Sequence, residues 1–181
     1  MRQLVYCVAA SLDGFIAGPN DEHDWIVPDS GIDFHALHSR FDTMLMGRRS
    51  YEAAFRRGDL LTSMGMRIVV VSTTLGSRCP PEIKVVSRDV AEAVRTLKAE
   101  AGKDIWLSGG GVLFRNLLDM GLVDAVEVSV FPILLGAGTP LLPEGRRAFL
   151  QLSACNALPS GVLMLSYLIP GVQTATPPQA E

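Results

Sequence analysis

Residues 109–111 are three consecutive glycines, set between the apolar run Ile105-Trp106-Leu107-Ser108 and a helix-like stretch from Val112 to Met120. A strand that halts at glycine and restarts as a helix leaves backbone amides unpartnered at the helix start. Those amides and the positive end of the helix dipole favour an anion, and without a Cβ in the way a phosphate can approach closely. The spacing matches neither the G-x-G-x-x-G fingerprint of Rossmann units nor a P-loop, which ends in Gly-Lys-Ser/Thr. Alone, the triplet reads equally well as a flexible strand-to-helix turn.

A second segment repeats the arrangement. Thr43-Met44-Leu45-Met46 reads as a short buried strand, and Gly47-Arg48-Arg49-Ser50-Tyr51-Glu52 as the start of a helix. Here two guanidiniums stand beside the free amides, and arginine forks match phosphate oxygens at any working pH. A solvated helix face is the alternative for Arg48 and Arg49. Two strand-end, helix-start anion sites in one chain point to a ligand with more than one phosphate. A dinucleotide fits.

The remaining pattern places these motifs in an α/β sheet. Strands are expected at residues 4–10, 43–46, 67–72, 83–86 and 105–108, and helices at 31–41, 47–55, 89–101 and 112–120. The 31–41 helix rests on Phe34, Leu37, His38 and Phe41 at helical spacing. The run at 67–72 is nearly all β-branched, the mark of a parallel strand covered on both faces. Three further strands, 125–133, 149–157 and 162–169, have no helices between them, so the sheet is expected to finish in antiparallel pairs. In such sheets ligands sit beyond the carboxyl ends of the strands, which would gather Ala9-Ala10, Gly47, Ser72-Thr73 and Gly109 along one edge.

Composition excludes several rivals. With 181 residues, 48% hydrophobic and 19% charged, the chain reads as one globular domain over residues 1–169, followed by a disordered tail at 170–181. A net charge of −3 offers no basic field for nucleic acid or an anionic membrane. No apolar run nears the ~20 residues that span a bilayer, and the N-terminal residues read directly into a strand, not a signal peptide. Cys7, Cys79 and Cys155 are scattered, and His23, His35 and His38 lack thiolate neighbours, so no metal is expected and a cytoplasmic setting is.

The order of the motifs resembles the dihydrofolate reductase-like superfamily, and within it the reductase domain of the riboflavin-biosynthesis deaminase/reductase, the RibD C-terminal domain. The likeness rests on A-A-S-L-D-G-F-I-A-G (9–18), M-L-M-G-R-R-S-Y-E (44–52), V-V-V-S-T-T (69–74), W-L-S-G-G-G-V-L-F (106–114) and P-I-L-L-G-A-G-T-P-L-L (132–142). It implies a three-layer α/β fold with a mostly parallel central sheet and antiparallel C-terminal edge strands. It also implies NADPH as cofactor. Main chain at Ala9 and Ala10 would hold the carboxamide, with Ile16 by the ring. Amides of Gly47, Arg48, Arg49 and Ser50, and of Gly109, Gly110, Gly111, Val112 and Leu113, would clasp the pyrophosphate. Arg48 with Ser72 and Thr73 would take the 2′-phosphate, with Arg49 and Arg88 as further candidates.

The substrate side is thinner. Relatives in the superfamily place a carboxylate on the first helix after a Trp-x-x-Pro segment. Trp25-Ile26-Val27-Pro28 is present here, but the matching position is near Ser30. Asp33, one turn on, is the candidate catalytic residue, or else a helix-start carboxylate stabilised by the dipole. Trp25 is a lid or a loop plug, and Asp13 a turn residue. Gly136 and Gly138 shape a substrate rim or only a turn. The expected activity is hydride transfer to a C=N or C=O carbon of a small heterocycle, of the ribosylaminopyrimidine or pterin kind. The zinc-deaminase motif is missing from this sequence. The rivals are a dihydrofolate reductase and a nucleotide-binding protein without turnover. An unprotected edge at 149–169 points to a homodimer.

Overall fold

Strands covered on both faces need helices on both sides, and that is the architecture found. The computed structural model describes residues 1–57, 65–76 and 79–170. In chain order the elements are β1 (Leu4–Ser11), β2 (Phe15–Ala17), α1 (Phe34–Ser39), β3 (Phe41–Gly47), α2 (Arg48–Arg57), β4 (Arg67–Val71) and β5 (Lys84–Val86). Then come α3 (Val90–Ala99), β6 (Asp104–Gly109), α4 (Gly111–Asp119), β7 (Ala125–Phe131), β8 (Thr139–Pro140), β9 (Gln151–Ala157) and β10 (Leu163–Leu168). The main sheet has the order β5-β4-β3-β6-β1-β7-β10-β9, and β2 pairs with β8 in a small second sheet. β5 through β7 are mutually parallel, whereas β10 runs antiparallel to both β7 and β9.

Alternation along the strands divides the core in two. Leu4, Tyr6, Leu45, Val69, Ile105 and Leu107 face α3 and α4, meeting Val94, Leu97, Phe114 and Leu117. Tyr6 stacks on Phe114 with ring centroids 3.9 Å apart. The opposite face presents Val5, Met44, Met46, Ile68 and Val70 to Tyr51 of α2. At the N-terminal ends of the strands, buried Lys98 donates to Leu122 O at 3.0 Å and pairs with Asp124 at 2.6 Å. Buried Arg2 is held by Asp42, Thr43 and main-chain carbonyls. This charged end lies opposite the glycine turns.

The sheet forks. The β1–β6 ladder ends at Tyr6↔Leu107, while β1 stays paired with β7 to Ser11↔Phe131 and β6 with β3 to Met46↔Gly109. Beyond that point the two central strands part, in the region where strand order reverses around β1.

One expected helix needs correction, and one strand pair was not anticipated. The helix expected at 31–41 covers only Phe34–Ser39 and buries none of its residues. Asp29 takes the Gly31 amide at 2.7 Å and Asp33 the Ala36 amide at 2.9 Å, which delays the helix start. Phe41 belongs to β3 and is buried there, so the helical spacing mixed two elements. The β2–β8 pair was missed, because a two-residue strand carries no periodicity. The tail expected at 170–181 lies, from residue 171 on, outside the described residues.

Candidate active site

The fork opens a cleft of about 1280 Å³. Its rim is built from the strand ends and the two glycine turns. Gly47 ends β3 and Arg48 begins α2; Gly109 ends β6 and Gly111 begins α4. Gly109 has φ +141°, a conformation that favours glycine, and a Cβ there would lie 3.2 Å from Ser50 Oγ. The Gly109–Gly110 peptide is cis. Gly110 caps α4 without any side-chain hydrogen bond. Val112, in the first turn of α4, is 67% exposed although apolar, and it lines the cleft.

A wall comes from the loop after β7. Thr139, Pro140 and Pro143 line the cleft, and a Cβ at Gly111 would meet Leu141 O at 3.0 Å and Pro140 O at 3.1 Å. Gly138 lies so close to β2 that a Cβ would fall 2.0 Å from Ala17 O. Asp13 fixes the same loop, accepting from Gly136 N at 2.7 Å and Leu135 N at 3.1 Å. Those amides and the Ser11 hydroxyl, the largest cause, hold its carboxyl below the usual range. Asp13 is thus a turn residue with a second task, pinning a distant loop.

The structure gathers most of the sequence candidates. Ala9, Ile16, Gly47, Arg48, Arg49 and Ser50 line this cleft together with Gly109, Gly110, Gly111, Val112 and Leu113. Arg48 is paired with Glu52 at 2.9 Å, one helical turn on. Other candidates stand apart from the lining. Ala10 packs into the core beside Leu4 and Tyr6. Ser72 is buried, its hydroxyl accepting from Leu75 N at 3.0 Å and Thr74 N at 3.2 Å. Thr73 and Arg88 are exposed and outside the cleft. Asp33 is also outside it: its Oδ1 caps α1, the alternative role open to it from sequence. Trp25 is a plug, buried against Phe131, Ile32 and Val162 with Nε1 donating to Glu22 O at 3.2 Å.

Sequence reasoning missed the cleft floor. Cys7, Met44 and Trp106 lie two residues before Ala9, Met46 and Ser108, on the same sheet face. That period-two relation was the available signal. Burial pushes the Cys7 thiol up to about 12, with the Glu127 carboxylate adding to the effect. Glu127 is itself paired with Arg40. His38 stacks on Trp106 at 4.6 Å, and burial holds its imidazole below the ordinary value. His23, Asn20 and Asp21 bring the β2–α1 loop to the cleft.

This chain is similar to several known proteins to different extents. A Bacillus subtilis (strain 168) protein, the uncharacterized YyaP, is 33% identical over 177 residues, covering 92% of this chain and 94% of its own. A solved structure from Shewanella sp. PV-4, named provisionally as a riboflavin biosynthesis protein, superposes with a TM-score of 0.80 at 26% identity, covering 94% of this chain and 99% of that one. The riboflavin biosynthesis protein RibD of Corynebacterium ammoniagenes is 24% identical over 148 residues, or 74% of this chain and 44% of that protein. Among the described residues no helix is long and apolar enough to cross a membrane. The family model described as RibD C-terminal domain matches residues 2–164, from β1 through both glycine turns and into β10, and the chain belongs to that family.

Proposed function

We propose that this protein is an NADPH-dependent oxidoreductase reducing a C=N or C=O carbon of a small heterocycle, of the ribosylaminopyrimidine or pterin kind. One observation carries the reading: the starts of α2 and α4 open on the same cleft. The donor set fits a pyrophosphate, because the first turn of α4 has no side-chain cap and glycines clear the approach. Amides of Gly47 to Ser50 and of Gly110 to Leu113 would hold it from two sides. Main chain at Ala9 and the side chain of Ile16 would orient the nicotinamide end. Arg48 would take the 2′-phosphate, sharing its guanidinium with Glu52. Ser72 and Thr73 would assist only after reorienting, since they follow Val71, the cleft residue of β4.

When bound, a reduced nicotinamide supplies the hydride; the chain supplies alignment and exclusion of water. The β8 wall and the β2–α1 loop close the cleft from two sides and leave its apolar floor beneath. Fluorescence titration with NADPH and NADH tests the reading. Wild type is expected to prefer NADPH, and Arg48→Ala to reduce that preference by about tenfold, or ~1.4 kcal/mol. No saturation by NADPH would refute it.

Two accompanying proposals concern setting. Every residue of β9 is exposed, and residues 149–169 contain no charged side chain to guard the edge. A second copy pairing along β9 would cover Leu152, which is 54% exposed. Cys7, Cys79 and Cys155 are free thiols, consistent with the reducing cytoplasm. Light scattering giving a monomer would remove the dimer.

A further inference from the structure

Burying a phenol in the middle of an aliphatic strand costs free energy unless its hydroxyl finds a partner. Tyr6 is such a residue. It stands between Leu4 and Val8 on the face of β1 turned to α4, and it is 0% exposed. Its ring stacks on Phe114 of α4, and its hydroxyl donates to Leu141 O at 3.2 Å, in the loop after β7. Leu141 is held from its other side as well, its N donating to Gly14 O at 2.8 Å. Burial raises the Tyr6 hydroxyl well above the ordinary tyrosine range, so it keeps its proton and stays a donor at neutral pH.

The carbonyl it holds lies beside the start of α4. A Cβ on Gly111 would lie 3.0 Å from Leu141 O, and Gly111 N is bonded to the same Cα. The amides of Gly111, Val112 and Leu113 precede the first helical bond of α4, which Phe114 N makes to Gly110 O at 3.1 Å. Among the described residues these three amides have no main-chain partner, and Gly110 supplies no side-chain cap. Unpartnered amides at the positive end of a helix attract any oxygen within reach. A small rotation of the Leu141–Leu142 peptide would carry Leu141 O onto them, into the place a phosphate oxygen would take. The Tyr6 hydroxyl engages that oxygen first.

We propose that Tyr6 is a positioning residue for the cofactor: its hydroxyl holds the Leu141 carbonyl away from the first-turn amides of α4 and keeps them free for the diphosphate. This rests on the dinucleotide reading and adds to it a residue outside the cleft lining. Cys7, its neighbour in β1, lines the cleft; Tyr6 acts from the opposite face of the sheet.

Tyr6→Phe removes one oxygen and leaves the stack on Phe114. In the unliganded variant Leu141 O is expected to turn to α4, so that NMR water exchange at the Gly111 and Val112 amides slows about tenfold. NADPH and NADH should both bind about tenfold more weakly, with their ratio unchanged, because the diphosphate is common to them. Adenosine 2′-phosphate, which lacks the diphosphate, should bind as it does to wild type. Phe114→Leu controls for loosened packing: it keeps the hydroxyl, lowers the melting temperature, and should leave both amides in fast exchange. Unaltered exchange in Tyr6→Phe overturns the proposal, as does an equal slowing in Phe114→Leu. Adenosine 2′-phosphate weakening as much as NADPH overturns it too, and so does NADPH binding that saturates in wild type and is unchanged in Tyr6→Phe. If wild type binds no NADPH while exchange in Tyr6→Phe still slows, the hydroxyl keeps its hold on the carbonyl and the cofactor reading falls instead.

Discussion

The indole Nε1 of Trp106 donates to the main-chain carbonyl of Cys7 at 2.8 Å, across the gap where β6 and β1 separate. The ladder between these strands stops at Tyr6↔Leu107, so this carbonyl has lost its strand partner. A side chain therefore closes a backbone bond that the fork leaves open, and the cleft keeps its floor. Trp106→Phe keeps an aromatic ring but orphans the Cys7 oxygen. The expected cost is about 1–3 kcal/mol in urea unfolding. Wild-type stability in the variant would show that water serves the carbonyl equally well.

Gly138 is where the long loop meets β2. Its φ is +150°, and a Cβ would sit 2.0 Å from Ala17 O, a main-chain atom with little room to yield. Gly138→Ala is expected to break the β2–β8 pair and lower stability by about 3 kcal/mol or more. Thermal unfolding should show this, with NADPH affinity falling as the wall moves. A melting temperature within a degree of wild type would mean that the loop is not held there.

Cys7 and Cys155 should differ sharply toward alkylation. Burial first, then the Glu127 carboxylate, raises Cys7 to about 12. Below that pH the thiolate is scarce, so reactivity should stay low through pH 8 and rise only in strong alkali. Cys155 is exposed on β9. Mass spectrometry after iodoacetamide at pH 8 should find Cys155 modified and Cys7 intact. Equal labelling would contradict the buried placement of Cys7.

Much of this organisation was legible from residues because it is local. The glycine turns at Gly47 and Gly109–Gly111 follow from an apolar run meeting a helical one, and the β-branched run of β4 announces its burial. The antiparallel end could be anticipated from strands without helices between them. What escaped was non-local. Nothing near Thr139 signals that it pairs with Ala17, and nothing near Tyr6 signals that its ladder ends there. The carboxylate at Asp33 was ambiguous for a related reason: a helix cap and a cleft residue share the same sequence neighbourhood. Ser72 was drawn to the turn amides of Thr74 and Leu75, a short-range bond that competes with any ligand.

Asp33→Ala tests its role as a cap. Losing the bond to Ala36 N should lower stability by about 0.5–1 kcal/mol, small because α1 is short and exposed. NADPH affinity is expected to stay at the wild-type value. A fall in kcat of more than tenfold, with any acceptor the protein turns over, would return the carboxylate to the chemistry.

The most direct test is a crystal structure of the protein with NADPH bound. The account predicts both bridging phosphates within about 2.7–3.2 Å of main-chain amides, contributed by Gly47 to Ser50 on one side and Gly110 to Leu113 on the other. Phosphates bound elsewhere, with either set of amides turned to solvent, would contradict it.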